Sequence, residues 1–367
     1  MSGHILIKNG SVILPDSSVR RVSVIISGHK IISVGGKVPR RGALEVDAAG
    51  CYVSPGFIDT HIHGDPQEIL KNEIRYGTTS IVVAESCAPL GEIYKKAAWI
   101  KKFMDKNPLG PSVLGLRLEG PYISKAKAGA QDKRYIRRPN VKELSKIIER
   151  SSPVFRMMTI APEKKGALSL VRALVKNGII ASIGHSSATY DEAKQGISAG
   201  IRHATHVFNA MRGTDGCKPG VVGAALSDNR VFAEIILDLI HVRETFFGLL
   251  VRAKGLDKVV LVTDSVKALH QKGVKKALGA YRFAGGRLAG SALTMMGAVK
   301  NAVTACGLSL PDAVRLATLN PARLLSAQVR KGAIEAGKDA DIVIFDKDFN
   351  VKMTIVRGKI MYRKRGF

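Results

Sequence analysis

Aromatic side chains are scarce in this chain: they make up 5% of its 367 residues and include a single tryptophan. Single-stranded nucleic acids are usually held on aromatic rings interleaved with cations, and no such interleaving is visible along the sequence. Acidic residues are also few, 30 Asp and Glu against 57 Lys and Arg, which leaves a formal charge of +27. That excess invites a nucleic-acid or anionic-membrane reading. The cations, however, are scattered among apolar residues, with only short clusters such as Arg134 to Arg138 and Arg363 to Arg365. A generally cationic surface that attracts small anions is the simpler account. Cysteine is rare: Cys51, Cys87, Cys217 and Cys306 form no Cys-x-x-Cys pair, which argues against a zinc knuckle or a redox pair. No run approaches the roughly 20 apolar residues of a membrane span, and the apolar stretch at the start of the chain breaks too early for a signal peptide. A cytoplasmic location without membrane association is the expectation. A Gly-x-x-x-x-Gly-Lys phosphate loop is missing too, and Gly184-His185-Ser186-Ser187-Ala188 is not a nucleophile elbow.

What is present is an ordered alternation of apolar runs. The first fifty residues read as short strands separated by turns: His4 to Lys8, Ser11 to Leu14, Val22 to Ile26 and Lys30 to Val34, with breaks at Asn9-Gly10, Gly28 and Gly35-Gly36. From Ser54-Pro55 strands alternate with helices. The strands are Gly56 to His63, Thr79 to Ala84, Val113 to Glu119, Arg156 to Ala161, Ala181 to His185, Arg202 to Val207, Arg230 to Leu237 and Lys258 to Thr263. Eight strands with helix-length connections predict an α/β fold, a (β/α)8 TIM-type barrel. Apolar spacing predicts helices over Glu92 to Met104, Val141 to Ile148 and Ala167 to Val175, the last stopped by Asn177-Gly178. Beyond the barrel, Gly297 to Cys306 and Pro311 to Leu325 read as helices, and strands return at Ala340 to Phe345, Val351 to Val356 and Ile360 to Tyr362. We expect residues 1–53 and 330–367 to pair into one small β-domain beside a barrel over 54–329, because chain ends tend to meet.

Six metal-binding side chains stand where these strands run out: His61 and His63, Glu119, His185, His206 and Asp264. Imidazoles and carboxylates gathered from several strand ends are how a barrel builds a metal centre. His61-x-His63 puts both rings on one face of a strand, because side chains alternate with period two. Alone, that pair reads equally well as two polar strand residues. Asp59 shares their face, as a supporting partner or simply a polar strand end. Glu119 follows an apolar run and precedes Gly120-Pro121; its bland alternative is a solvated turn acid. A single strand-end histidine is more often a hydrogen-bonded core residue, but His185 and His206 come as a pair on neighbouring strands. His203, three residues before His206, falls on the opposite face and is assigned a structural role. Asp264 ends the most apolar strand, where a poorly solvated carboxylate beside a cation can move a proton, unless it merely caps a helix with Ser265. Metal-assisted hydrolysis is the chemistry this set suggests.

The motifs around these positions resemble the amidohydrolase superfamily, and more closely its N-acetylglucosamine-6-phosphate deacetylase family. The resemblance is carried by Pro55-Gly-Phe-Ile-Asp-Thr-His-Ile-His-Gly64, Leu118-Glu-Gly-Pro-Tyr122, Ala161-Pro-Glu163, Gly184-His-Ser186, Thr205-His-Val-Phe-Asn-Ala-Met211, Leu261-Val-Thr-Asp-Ser265, Leu288-Ala-Gly-Ser-Ala-Leu-Thr294 and Asn320-Pro-Ala322. It covers nearly the whole chain in order. It implies a barrel with a small β-sandwich, commonly a homodimer, that removes acetate from an N-acetylated amino sugar phosphate. It further implies that Glu119, His185 and His206 hold a principal divalent metal, zinc or another such as iron. His61 and His63 would hold a second ion, and Asp264 would serve as general base and then acid. Substrate contacts are implied at Ala130, Gln131, Asn209, Ala210, His241 and the Leu288-Ala289-Gly290 segment.

Three positions depart from the family pattern. Gln131 stands where a histidine is usual, and a neutral amide donates a hydrogen bond but relays no proton. Cys217 stands where an arginine contacts phosphate, leaving Lys218 or Arg212 as less directional substitutes. The usual Asp-Gly-x-His is Asp238-Leu-Ile-His241. Two other readings stay open at this point. One is a different amidohydrolase, acting on another N-acyl sugar, a cyclic amide or an amine. The other is a basic nucleic-acid-binding protein on a degenerate barrel.

Overall fold

The computed structural model describes residues 4–36, 42–106, 112–268 and 273–367. Eight parallel strands follow one another in sequence order: Phe57–Gly64, Thr78–Glu85, Ser112–Glu119, Phe155–Ile160, Ile180–Ile183, His203–Ala204, Phe232–Ile236 and Val259–Val262. The eighth meets the first just beyond its end. The Asp264 N–H donates to His61 O at 2.8 Å, and the Thr263 hydroxyl donates to Asp59 Oδ2 at 2.6 Å. These bonds join the two ends of the curled sheet, and Val259 to Val262, fully buried, read as the near-continuous apolar run of a strand covered on both faces.

Helices lie outside the sheet and bury one stripe each. Leu90–Lys106 turns Ile93, Ala97 and Ile100 inward, Val141–Ser151 turns Leu144 and Ile147, and Ala167–Lys176 turns Leu170, Val171 and Leu174. Gly178, at φ +69°, ends the last of these in the left-handed conformation that glycine adopts without a Cβ penalty. The helix predicted from Gly297 starts at Met295, two residues earlier, because the Thr294 side chain accepts from Gly297 N. The stretch predicted as one helix over Pro311 to Leu325 is two, Leu310–Ala317 and Leu319–Leu324. Pro321 has no N–H to continue the first helix, and the chain breaks at Thr318 (φ −132°, ψ −74°).

The termini form two further sheets. One has four strands in the order Lys30–Val34, Val24–Ser27, His4–Lys8, Ala43–Asp47; the other has six, Lys359–Arg363, Val351–Val356, Ile342–Asp346, Cys51–Pro55, Ser11–Ile13, Val19–Arg21. Ile342–Asp346 runs antiparallel to Cys51–Pro55, so the two ends of the chain share a sheet. Ile5, Ile7, Val24 and Ile26 from the first sheet pack with Val53, Ile342, Ile344 and Met353 from the second, which makes a small β-sandwich.

The expected strands at residues 181–185 and 202–207 shorten to Ile180–Ile183 and His203–Ala204. The chain leaves the sheet at His185 (φ +46°) and His206 (φ +30°). Between the eighth strand and Met295 an unanticipated layer appears. Ser265–Ala268 runs beside the first barrel strand, and Val274–Ala277, Ala280–Phe283 and Leu288–Ser291 form an antiparallel sheet next to it. Gly290 is required there: a Cβ would lie 2.5 Å from Val266 Cγ1 and 3.2 Å from Asp264 O.

Candidate metal centre

Two groups of side chains that could hold a metal ion meet at the C-terminal mouth of the barrel: His61, His63, Glu119 and Asp264, and Glu119 with His185 and His206. Glu119 is common to both. Its Oε1 lies 3.2 Å from His206 Nε2, 3.4 Å from His185 Nε2 and 3.5 Å from His61 Nε2. Asp264 Oδ1 lies 3.2 Å from His63 Nε2 and 3.4 Å from His61 Nε2. His61 and His63 reach the site from within the first barrel strand, whose pairing register shifts between Asp59 and Ile62. His185, His206 and Asp264 (φ +48°) reach it from left-handed backbone just past a strand end, a conformation that costs a non-glycine residue of order 1–3 kcal/mol and clusters at functional sites.

Three observations show that these residues suit a cation. His61 Nε2 is buried without a hydrogen-bond partner among the described residues, although buried ring nitrogens are nearly always satisfied. The other nitrogen of three of these histidines is already engaged: His61 Nδ1 with Glu234 Oε1 at 2.7 Å, His185 Nδ1 with Lys127 O at 2.8 Å, and His206 Nδ1 with Asn209 O at 3.2 Å. Such outer contacts fix the ring that ligates. The field has the right sign as well. Burial and Arg117 push His61 down, yet Asp264, Glu234 and Glu119 raise it to about 10; burial likewise opposes His63, and Asp264 with Glu119 raises it to about 9. Burial drives the Glu119 carboxyl upward, but His61, His185 and His206 hold it well below its ordinary value. A cage that favours protons on its imidazoles favours a divalent ion in their place.

Beneath the site lies a buried network that the sequence reading did not identify. Glu234, in the seventh strand, holds His61 Nδ1, accepts from His206 N at 3.1 Å, and pairs with Arg117 from the third strand. Arg117 also donates to Thr60 O at 3.3 Å and to Thr205 Oγ1 at 3.0 Å. Burial pushes Glu234 up, and Arg117 with His61 outweighs it. His203 belongs here too: its Nδ1 meets Ser182 Oγ at 2.7 Å and its Nε2 lies 3.3 Å from Glu234 Oε2, so it points into the barrel and not to the face opposite His206, and burial lowers it to about 3. Asp59 ties the eighth strand to the first, accepting from Thr263 and from His61 N at 3.1 Å.

A cleft of about 660 Å³ opens over the ligands. Ala130, Gln131, Asn209, Ala210, His241 and the Leu288, Ala289, Gly290 segment all line it, as does Arg287 from the unanticipated layer. Lys218 does not. It stands in an exposed turn with its N–H on Asp215 O, and Arg212 instead donates to Ser187 O at 3.3 Å; neither lines the cleft. Gln131 behaves differently from a plain substrate contact: its amide donates to Glu119 Oε2 at 2.8 Å and accepts from Cys87 N at 2.7 Å. His241 Nδ1 lies 2.6 Å from Asp238 Oδ2, and Asp238 Oδ1 accepts from the Ile240 and His241 backbone. Asn209 Nδ2 is buried with no partner among the described residues.

The amidohydrolase family model matches residues 52–361. An N-acetylglucosamine-6-phosphate deacetylase from Lysinibacillus sphaericus is 30% identical over 97% of each chain. The chain belongs to the N-acetylglucosamine-6-phosphate deacetylase family of amidohydrolases. It is therefore an amide-hydrolysing enzyme. An N-acetylgalactosamine-6-phosphate deacetylase from Escherichia coli O157:H7 is 32% identical over 83% of this chain and 86% of its own. Among solved structures, the N-acetylglucosamine-6-phosphate deacetylase of Pasteurella multocida superposes with a TM-score of 0.91 at 29% identity, covering 98% of this chain and 100% of that one. A Mycobacterium smegmatis deacetylase variant, solved with N-acetyl-D-glucosamine-6-phosphate, gives 0.89 at 30% identity, covering 98% and 99%.

Proposed function

We propose that this amidohydrolase removes acetate from an N-acetylated amino sugar, N-acetylglucosamine 6-phosphate before others, using Glu119, His185 and His206 as principal metal ligands and His61 with His63 as a second pair. When bound, one or two divalent ions, zinc or another such as iron, supply Lewis acidity to the amide carbonyl and lower the pKa of the attacking water. Asp264 accepts a proton from that water as its oxygen bonds to the acetyl carbon, then delivers a proton to the sugar nitrogen as the C–N bond breaks, giving acetate and the free amine. Burial raises Asp264, yet His61 and His63 hold its carboxyl below the ordinary range, which keeps it ionised and ready to accept. Gln131 fixes Glu119 in the orientation that faces the histidines. His241, with Nδ1 held by Asp238, keeps Nε2 for an anionic or hydroxyl group, and Asn209 Nδ2 is a donor awaiting an acceptor. Ala130, Ala210 and Leu288 to Gly290 shape the wall. Residues 1–53 and 330–367 are taken as the small domain and 54–329 as the barrel. A homodimer is carried over from the family resemblance alone, and a cytoplasmic location rests on the sequence expectation alone.

The observation that carries this reading is the orphaned His61 Nε2 between two carboxylates, Glu119 and Asp264. The test is acetate release from N-acetylglucosamine 6-phosphate, N-acetylgalactosamine 6-phosphate and the unphosphorylated sugars, before and after chelation. Release that persists in fully metal-free protein sinks it. Because relatives named for either epimer match, the two phosphates are compared directly. The named relatives being deacetylases favours a linear acetamide over a ring amide or an amine.

A further inference from the structure

A second cavity, about 670 Å³, lies on the outer side of the barrel where the helices Pro66–Glu73 and Leu90–Lys106 meet the C-terminal strand Lys359–Arg363. Its lining includes Lys71, Arg75 and Lys102 together with Trp99, Phe103 and Tyr362, and among the described residues no acidic side chain. Trp99, Lys102 and Phe103 fall at i, i+3 and i+4 of one helix and so share a face, beside the stripe that packs on the barrel. The Trp99 and Phe103 rings stack at 5.5 Å and 15°. In a chain with so few aromatics, its only tryptophan and two further rings converge on one cationic hollow at a junction between domains, where ligand sites preferentially form.

We propose that this cavity binds a nucleoside phosphate: a planar base continuing the Trp99–Phe103 stack, with the phosphate held by Lys71, Arg75 and Lys102. Its volume is that of a small-ligand site. The rings supply a stacking surface that every base can use, and the ammonium and guanidinium groups supply charge-assisted hydrogen bonds to phosphate oxygens. A second copy of the chain is a poor occupant, since it would bring like charge to a cationic hollow. An acidic peptide satisfies the cations and leaves the ring stack unused. The metal centre differs in make-up, with Glu85, Glu119, Asp132 and Asp264 beside its imidazoles around the cleft.

Trp99 is the only tryptophan, so its fluorescence reports this cavity alone. The metal-loaded enzyme, excited at the tryptophan edge, is titrated with AMP, adenosine, ribose 5-phosphate, inorganic phosphate and a single-stranded oligonucleotide, with calorimetry in parallel. The expected result is a saturable change with AMP, and binding at least about tenfold weaker for adenosine or either phosphate alone, as loss of one charge-assisted or stacking contact implies. Lys71→Glu combined with Lys102→Glu weakens AMP about tenfold or more by the same reasoning while acetate release is unchanged; both side chains are exposed, so the fold is retained. Asp264→Asn leaves the AMP response intact. No saturable AMP binding overturns the proposal. So does equal binding of inorganic phosphate, a charge reversal without effect, or an oligonucleotide that binds far more tightly than AMP.

Discussion

The two cavities are nearly equal in volume, about 660 and 670 Å³, and opposite in chemistry. The first is a cage of buried acids and imidazoles with Arg287 as its one guanidinium. The second is a set of exposed cations on an aromatic floor. The difference lies in how each is supported. Glu119, His61 and Glu234 are inaccessible to solvent and each holds another in place. Lys71, Arg75 and Lys102 stand on helix surfaces and depend on no buried partner. Substitution of Glu119, His61 or Glu234 should therefore change chemistry and stability together, and substitution in the second cavity only affinity.

The sharpest way to break that contrast is to remove the metal. A chelator should bring acetate release to background and added zinc should restore it, with metal content per chain measured alongside; the fluorescence response to AMP should not move. Next in size, Asp264→Asn should lower kcat by roughly 10²–10⁴-fold, the range for loss of a positioned proton carrier, with metal content retained; a near-normal rate would remove Asp264 from the mechanism. Glu234→Gln should leave Arg117 buried and unpaired and cost about 3–5 kcal/mol, visible as a lower denaturation midpoint, and should weaken metal binding about 10–100-fold. Gln131→Leu frees Glu119 Oε2 and strands Cys87 N, a loss of about 1–3 kcal/mol that should appear in metal affinity as well as in rate. At the small end, Arg75→Glu should leave acetate release within about twofold of the parent, as surface substitutions do.

The barrel and the candidate ligands were legible because they obey local rules: eight apolar runs of strand length, five of them running out at a His, Glu or Asp. Their support was not. Glu234 sits inside the apolar run Phe232–Ile236 and Arg117 inside Ser112–Glu119, so each looks like an isolated charge until the sheet curls and brings them together. Opposite charges embedded in two buried strands were the available signal. The layer after Ser265 was hidden by its own composition, since Lys275, Lys276, Arg282 and Arg287 interrupt any apolar alternation. The strands Ala43–Asp47 and Cys51–Pro55 were too mixed in composition to stand out. Gln131 was expected at the substrate; its grip on Glu119 is a three-dimensional fact. Of the outer cavity, Trp99, Lys102 and Phe103 lie within about one helical turn and were a local aromatic and cationic signal that the sequence reading passed over, whereas Lys71, Arg75 and Tyr362 join them only in the fold.

Residue 264 divides its labour between backbone and side chain. Its N–H joins the last strand to the first through His61 O, and its carbonyl accepts from Ser291 N at 3.0 Å, while the carboxylate stands free of both tasks. Its left-handed φ is one that Asn and Asp tolerate better than most residues. An evolving lineage can thus exchange the reactive group at this point without reopening the barrel, which makes the position a place where the enzyme's chemistry can drift while its architecture is inherited intact.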